Sequence, residues 1–202
     1  MTHKILVATH NQGKVIEYAD MLSDTNIDWL SLDDIGLSDE VEETGSTFLE
    51  NAQLKAAGYA RMSGLLTLAD DSGLVVDALK GAPGVKTARY GGVGLSSQER
   101  YEYLLAQLSD IAQQDRRARF VCVIAVAGTD GRILATAEGQ VEGYIALEAA
   151  GEGGFGYDPV FYLPDQKKTM AQLPPGVKHT LSHRGRALKT IEPQLKKIVN
   201  PR

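Results

Sequence analysis

The sequence has a single cysteine, Cys122. One thiol closes no internal disulfide, which points to a reducing compartment. It lies in Phe120-Val121-Cys122-Val123-Ile124-Ala125-Val126, the setting of a buried core thiol and not of a nucleophile. The four histidines are scattered, and none stands at a zinc-ligand spacing from Cys122. No Gly-x-Ser-x-Gly elbow occurs, so serine-nucleophile chemistry lacks its usual signal. No apolar run is long enough to cross a bilayer. The start, Met1-Thr2-His3-Lys4, leads into a strand-like run and not into a signal peptide. A net positive charge is also lacking. The net charge is −5, so no bulk attraction to nucleic acid is expected. A cytoplasmic protein follows, with no membrane and no nucleic-acid partner. A small anionic ligand would need a local basic pocket. There is no internal repeat and no low-complexity linker.

The 202 residues are 43% hydrophobic and 23% charged, ordinary values for a globular protein. They suffice for one good-sized domain, residues 1–202, or for two small lobes sharing a core. Lys4-Ile5-Leu6-Val7-Ala8 reads as a buried strand. Residues 9–13 read as a loop and residues 14–22 as a helix, through Val15, Ala19 and Leu22. Trp29-Leu30-Ser31-Leu32 is a short strand, and residues 33–45 form an acidic loop. Thr47-Phe48-Leu49-Glu50 matches a capping box, which predicts a helix to Ser63 with Gly64 ending it. Ser96 or Ser97 caps another helix. Residues 119–127 and 133–140 read as a hairpin around Thr129-Asp130-Gly131-Arg132. Val160-Phe161-Tyr162 is a further strand, and Ser182 opens a C-terminal helix. Strands and helices mix throughout, which gives an α/β or α+β class.

Ala69-Asp70-Asp71-Ser72-Gly73-Leu74 sets two adjacent carboxylates inside an apolar stretch. The spacing predicts an acidic break between two short strands. Carboxylates there are costly to desolvate unless a metal ion, a basic side chain or a proton meets them. Asp-Asp-Ser-Gly is equally an ordinary turn composition. Thr9-His10-Asn11-Gln12-Gly13-Lys14 lies between a strand and a helix, where unpaired N–H groups suit phosphate and Lys14 adds a charge. It is not a P-loop, because Ala8 and Val15 stand where Gly and Ser or Thr are needed. Gly151-Glu152-Gly153-Gly154-Phe155-Gly156 formally matches a dinucleotide fingerprint, but it leads into Tyr157-Asp158-Pro159 and a strand, not a helix. A loop whose backbone approaches a flat ligand fits better, with Phe155 or Tyr157 available to stack on a base. Ser182 is a natural N-cap, and it places His183 and Arg184 in a first helical turn, where positive charge opposes the dipole. Arg184 has the fork to donate paired hydrogen bonds to an oxo group.

Taken together, these segments resemble the inosine/xanthosine triphosphate pyrophosphatase family. The matching pieces run in order. They are Thr9 to Lys14 with Glu17; Glu42-Glu43-Thr44-Gly45 with Glu50-Asn51-Ala52 and Lys55-Ala56; and Ala69 to Leu74. Next come Gly81-Ala82-Pro83-Gly84-Val85 with Ala88-Arg89-Tyr90; Gly153 to Pro159; and Ser182-His183-Arg184 with Ala187. The resemblance implies an elongated α/β mixed-sheet fold of two lobes around a central cleft, and a homodimer. It implies Mg²⁺-dependent cleavage of ITP, dITP and XTP to the monophosphate and pyrophosphate, which clears deaminated purines from the nucleotide pool. It assigns Thr9, His10, Asn11, Gln12, Gly13 and Lys14 to the triphosphate, and Lys55 to a phosphate or catalytic contact. Asp71, with Glu42 or Glu43, would hold the metal, and Asp71 would also be the base. Ser72 and Arg89 would line the phosphate site. Phe155, Gly156, Tyr157, Asp158, Lys178, His183 and Arg184 would form the base pocket. The chain departs from the pattern at His10, at Lys86, and in Leu173-Pro174-Pro175-Gly176-Val177 before Lys178.

The chemistry agrees with these assignments. A triphosphate brings about four negative charges, which a metal and fixed cations must neutralise. Lys14, Lys55, Arg89 and the helix-start N–H groups are the available donors. Donors toward a 6-oxo group would reject adenine's 6-amino group. Two other readings are a pyrophosphatase for modified pyrimidine nucleotides and a nucleotide-binding regulatory module without turnover.

Overall fold

The computed structural model describes residues 3–22 and 27–200; the opening Met1-Thr2 lies outside the described residues. The strands are β1 (His3–Val7), β2 (Ile27–Leu30), β3 (Leu66–Val76), β4 (Arg117–Ala127), β5 (Ile133–Ile145), β6 (Phe161–Leu163) and β7 (Lys168–Thr169). They form one mixed sheet in the order β2-β1-β3-β4-β5-β6-β7. β1 runs parallel to β2 and β3, whereas β6 runs antiparallel to β5 and β7. The helices are α1 (Gln12–Met21), α2 (Phe48–Ser63), α3 (Ser97–Gln107), α4 (Pro175–Leu181) and α5 (His183–Val199). Among the described residues, no helix is long and apolar enough to cross a membrane. The fold is mixed α/β.

The chain divides into two compact units. The first comprises residues 1–71, 122–139 and 184–202. Its main core joins Ile5 and Val7 of β1 to Val15 and Tyr18 of α1 and to Leu188, Ile191 and Leu195 of α5. Leu6, between those two β1 residues, meets Leu32 and Tyr59 of α2 in a separate cluster. Alternation along β1 therefore buries both faces of the sheet, with α1 and α5 on one and α2 on the other. α2 starts as its sequence dictates. The Thr47 side chain accepts from the Glu50 N–H, the Glu50 carboxylate accepts from the Thr47 N–H, and Gly64 closes the helix at φ 67°.

The second unit comprises residues 72–121 and 140–183. Its core joins Leu74 and Val76 of β3 to Leu104 of α3 and to Phe120, Val141 and Phe161. The Phe120 and Phe161 rings lie 4.5 Å apart.

One expectation is corrected here. β3 runs unbroken through Asp70-Asp71-Ser72-Gly73, where an acidic break between two strands was expected. The carboxylates remain inside the strand because cationic side chains meet both of them. In addition, Pro174-Pro175 does not interrupt the path to Lys178. It starts α4, and the Pro174 carbonyl accepts from the N–H groups of Val177 and Lys178.

Candidate active site

Successive side chains of a strand point to opposite faces, so Asp70 and Asp71 meet different helices. Asp70 is 4% exposed. Lys14 Nζ of α1 lies 3.1 Å from each of its carboxylate oxygens. Arg184 Nη2, from the first turn of α5, stands 3.5 Å from Oδ2. Arg184 Nη1 donates to Glu17 Oε2 of α1 at 3.1 Å. Burial alone would raise the Asp70 pKa, but Lys14, Arg184 and Lys55 hold it well below the usual carboxylate range. Burial would likewise discharge Arg184, and Asp70 foremost keeps it charged. The buried Tyr18 hydroxyl lies beside the same guanidinium, and desolvation pushes its pKa well up.

Asp71 meets α2. Asn51 and Lys55 are one turn apart and share a helix face. Asn51 Nδ2 donates to Asp71 Oδ2 at 3.0 Å. Lys55 Nζ lies 3.9 Å from Asp71 Oδ1 and 2.7 Å from Glu43 Oε1. Desolvation raises the Asp71 pKa. Lys55 and Asn51 oppose that shift, while Glu43 and Asp70 add to it. For Lys55, burial would favour the neutral amine, but Asp70, Asp71 and Glu43 outweigh it and hold the pKa above its ordinary value. Asp71 is thus the carboxylate disposed to take a proton, and Lys55 is a fixed cation.

Among the described residues no three His, Cys, Asp or Glu side chains gather as a metal cage. The donors that do converge are two carboxylates, Glu43 and Asp71, on the same ammonium. Such an all-oxygen pair suits Mg²⁺, which takes one or two protein carboxylates and completes its shell with water and substrate phosphates. Glu42, next in the chain, is exposed.

The first loop ends at Asn11, whose carbonyl accepts from the Lys14 N–H at 3.0 Å. Gln12 and Gly13 therefore belong to α1. Thr9 Oγ1 accepts from the Asn11 N–H at 3.1 Å, which shapes the turn. His10 is exposed, and its Nδ1 pairs with Asp33 at 2.6 Å.

In the second unit, Asp158 organises the glycine loop. Its Oδ2 accepts from the Phe155 N–H at 2.9 Å and from Lys178 Nζ at 2.6 Å. Lys178 Nζ also sits 4.8 Å from the centre of the Phe155 ring. Gly154, at φ 77°, has no room for a side chain, because a Cβ would strike the Asp158 carboxylate and Lys178 Nζ. The two aromatics of this loop differ. Phe155 is 56% exposed, whereas Tyr157 is 3% exposed and its hydroxyl donates to the Thr87 carbonyl at 3.0 Å. Tyr157 is therefore core, and Phe155 is the exposed ring of the two. Gly156 lies between them, half-buried. His183 stacks on Phe120, with ring centres 4.9 Å apart. Ser72 is half-buried on β3, and Arg89 is exposed at the end of the 3₁₀ turn Gly84–Arg89.

The first unit thus brings Lys14, Glu17, Glu43, Asn51, Lys55, Asp70, Asp71 and Arg184 into two linked charge clusters. The second brings Phe155, Asp158 and Lys178 together. The Arg184 fork faces two carboxylates, which favours an anchoring role over donation to an oxo group. Asn51 and Glu17 received no role from sequence reasoning. The four-residue spacing from Asn51 to Lys55 was the available signal for the first. Nothing local marks the second, whose partner lies 167 residues away.

The profile of the Ham1 family matches residues 5–194. The dITP/XTP pyrophosphatase of Desulforamulus reducens is 50% identical over 186 residues, covering 92% of this chain and 92% of that protein. A HAM1 protein from Coxiella burnetii superposes with a TM-score of 0.90 at 40% identity, covering 97% of this chain and 100% of the other. The Staphylococcus aureus Ham1 protein superposes with a TM-score of 0.87 at 42% identity, covering 96% and 99%. With such agreement over nearly its full length, the chain belongs to the Ham1 family.

Proposed function

We propose that this chain hydrolyses non-canonical purine nucleoside triphosphates, dITP, XTP and ITP, to the monophosphate and pyrophosphate. The observation that carries the reading is the Asp71, Lys55 and Glu43 cluster, in which a desolvated carboxylate, a fixed cation and a second carboxylate converge. The similarity to the dITP/XTP pyrophosphatase of Desulforamulus reducens supports it. Such an enzyme works in the cytoplasm on the free nucleotide pool, and we assign it a homodimeric state.

Lys14, Lys55 and the loop from Thr9 to Gly13 bind the triphosphate. Glu43 and Asp71 are the residues that would hold Mg²⁺, which would supply charge neutralisation at the phosphate oxygens. Asp71 takes a proton from the attacking water, a role that its desolvation favours. The water oxygen bonds to the α-phosphorus as its bond to the α–β bridging oxygen breaks, and pyrophosphate leaves. Lys14 is pinned by Asp70, so its ammonium needs little reorganisation to meet phosphate. On the base side, Phe155 stacks, and Lys178, held by Asp158, donates to the 6-oxo group. Adenine's amino group would leave that donor unmatched.

The test is pyrophosphate release from a panel of triphosphates with and without EDTA. The expected kcat/KM for dITP and XTP exceeds that for dATP by roughly 10⁴-fold. Activity should vanish with EDTA and return with Mg²⁺. Preference for a modified pyrimidine nucleotide, or binding without turnover, overturns the reading.

A further inference from the structure

We infer that Asn51 is a positioning residue that ties Glu43 and Asp71, the two carboxylates of the site, into one unit of set spacing. The inference rests on the reading of this site as a metal-dependent hydrolase centre. Asn51 lies in the first turn of α2 and is 1% exposed. Both ends of its amide are used. Nδ2 donates to Asp71 Oδ2 at 3.0 Å, and Oδ1 accepts from the Gly45 N–H at 2.8 Å. The orientation of the amide is unique. A backbone N–H only donates and an ionised carboxylate only accepts, so a flipped amide would set like against like at both ends. Gly45 follows Glu43 by two residues, so the acidic loop is fastened through Asn51 to the carboxylate on β3. The fit at Gly45 is close: a Cβ there would stand 2.6 Å from Asn51 Oδ1 and 2.7 Å from Glu50 Cβ.

α2 thus acts twice on the same pair. Lys55 draws Glu43 and Asp71 together by charge, at 2.7 and 3.9 Å. Asn51 fixes them by directional hydrogen bonds, one to Asp71 itself and one to the loop that carries Glu43. A cation shared by two carboxylates and a phosphate depends on such outer partners for its affinity. No other residue type at position 51 has the same reach and both polarities. Aspartate would set an acceptor against Asp71, and alanine would remove both hydrogen bonds.

The test compares Asn51→Ala and Gly45→Ala with the wild type. Gly45→Ala disturbs the amide through its new Cβ and touches neither carboxylate. Three readouts are taken: dITP turnover, thermal unfolding, and Mn²⁺ binding beside the α,β-imido analogue of dITP, followed by the spin resonance of free Mn²⁺. Both variants should remain folded, with kcat and Mn²⁺ affinity lowered roughly 10- to 100-fold. KM should move by less than about threefold, the split expected when the lost interaction serves the transition state. Normal kcat and Mn²⁺ affinity in either folded variant overturns the inference alone. Loss of the fold in both makes Asn51 a structural keystone and also overturns it. A wild type that neither turns over dITP nor binds Mn²⁺ overturns the functional reading itself.

Discussion

At Asp71, burial strips water from a carboxylate whose nearest ammonium, Lys55, stands 3.9 Å away, and its affinity for a proton rises. The residue before it sits deeper and behaves oppositely, because Lys14 and Arg184 both reach it. Asp71→Asn keeps the shape and the Asn51 contact but cannot take a proton. Its kcat should fall by roughly 10²- to 10⁴-fold. Circular dichroism should match that of the wild type, and near-normal turnover would remove Asp71 from the chemistry. Cys122 offers a second check at this scale. Burial pushes its thiol up to about 12, with Asp70 adding to the effect. In the folded protein at pH 8 it should resist Ellman's reagent, and in denaturant it should react at once. Fast labelling of the native state would contradict the buried placement. The sequence carried the carboxylates and the lysines plainly, since charge inside an apolar run demands a partner. Which aspartate meets which lysine depends on the faces of β3 and on helices distant in the chain, and only the folded packing displays that.

Among the elements, α2 was the most legible, because its cap, its length and its stop are all local chemistry. Thr47-Phe48-Leu49-Glu50 and Gly64 fall where the helix begins and ends. This helix carries both Asn51 and Lys55, so its start bears on the site. Thr47→Ala should cost about 1 kcal/mol of stability, read as a shift in the urea midpoint, with kcat kept within a few-fold. A much larger loss of kcat would mean that the cap also sets the site's geometry. β3 was less legible. Asp-Asp-Ser-Gly has the composition of a turn, and local preference gives way where buried cations satisfy the carboxylates. The glycine loop lies between these cases. Its rejection as a dinucleotide fingerprint rested on the strand that follows, β6. Its true organiser, the Asp158 and Lys178 pair, spans 20 residues and α4, a helix that the double proline disguised.

For the whole molecule, the charge cluster on Asp70 makes stability depend on pH. The folded pKa lies below the unfolded value of about 3.9, so this group stabilises the native state at every pH above roughly 4. That contribution is lost as the pH falls toward the folded value. Asp70→Asn should unfold at lower urea at pH 7, by about 3–5 kcal/mol, because Arg184 loses a buried partner. Between pH 4 and pH 2 its stability should fall less steeply than that of the wild type. Parallel curves would mean that Asp70 does not govern acid unfolding. The unbroken course of β3 has a further consequence, for how the gene can vary. Its two carboxylates serve different helices only because the strand counts its residues by twos. Loss or gain of one codon between Leu66 and Asp70 would turn each aspartate toward the other's partners. Insertions in surface loops should be borne with little harm, while this short stretch should accept changes of letter but not of length.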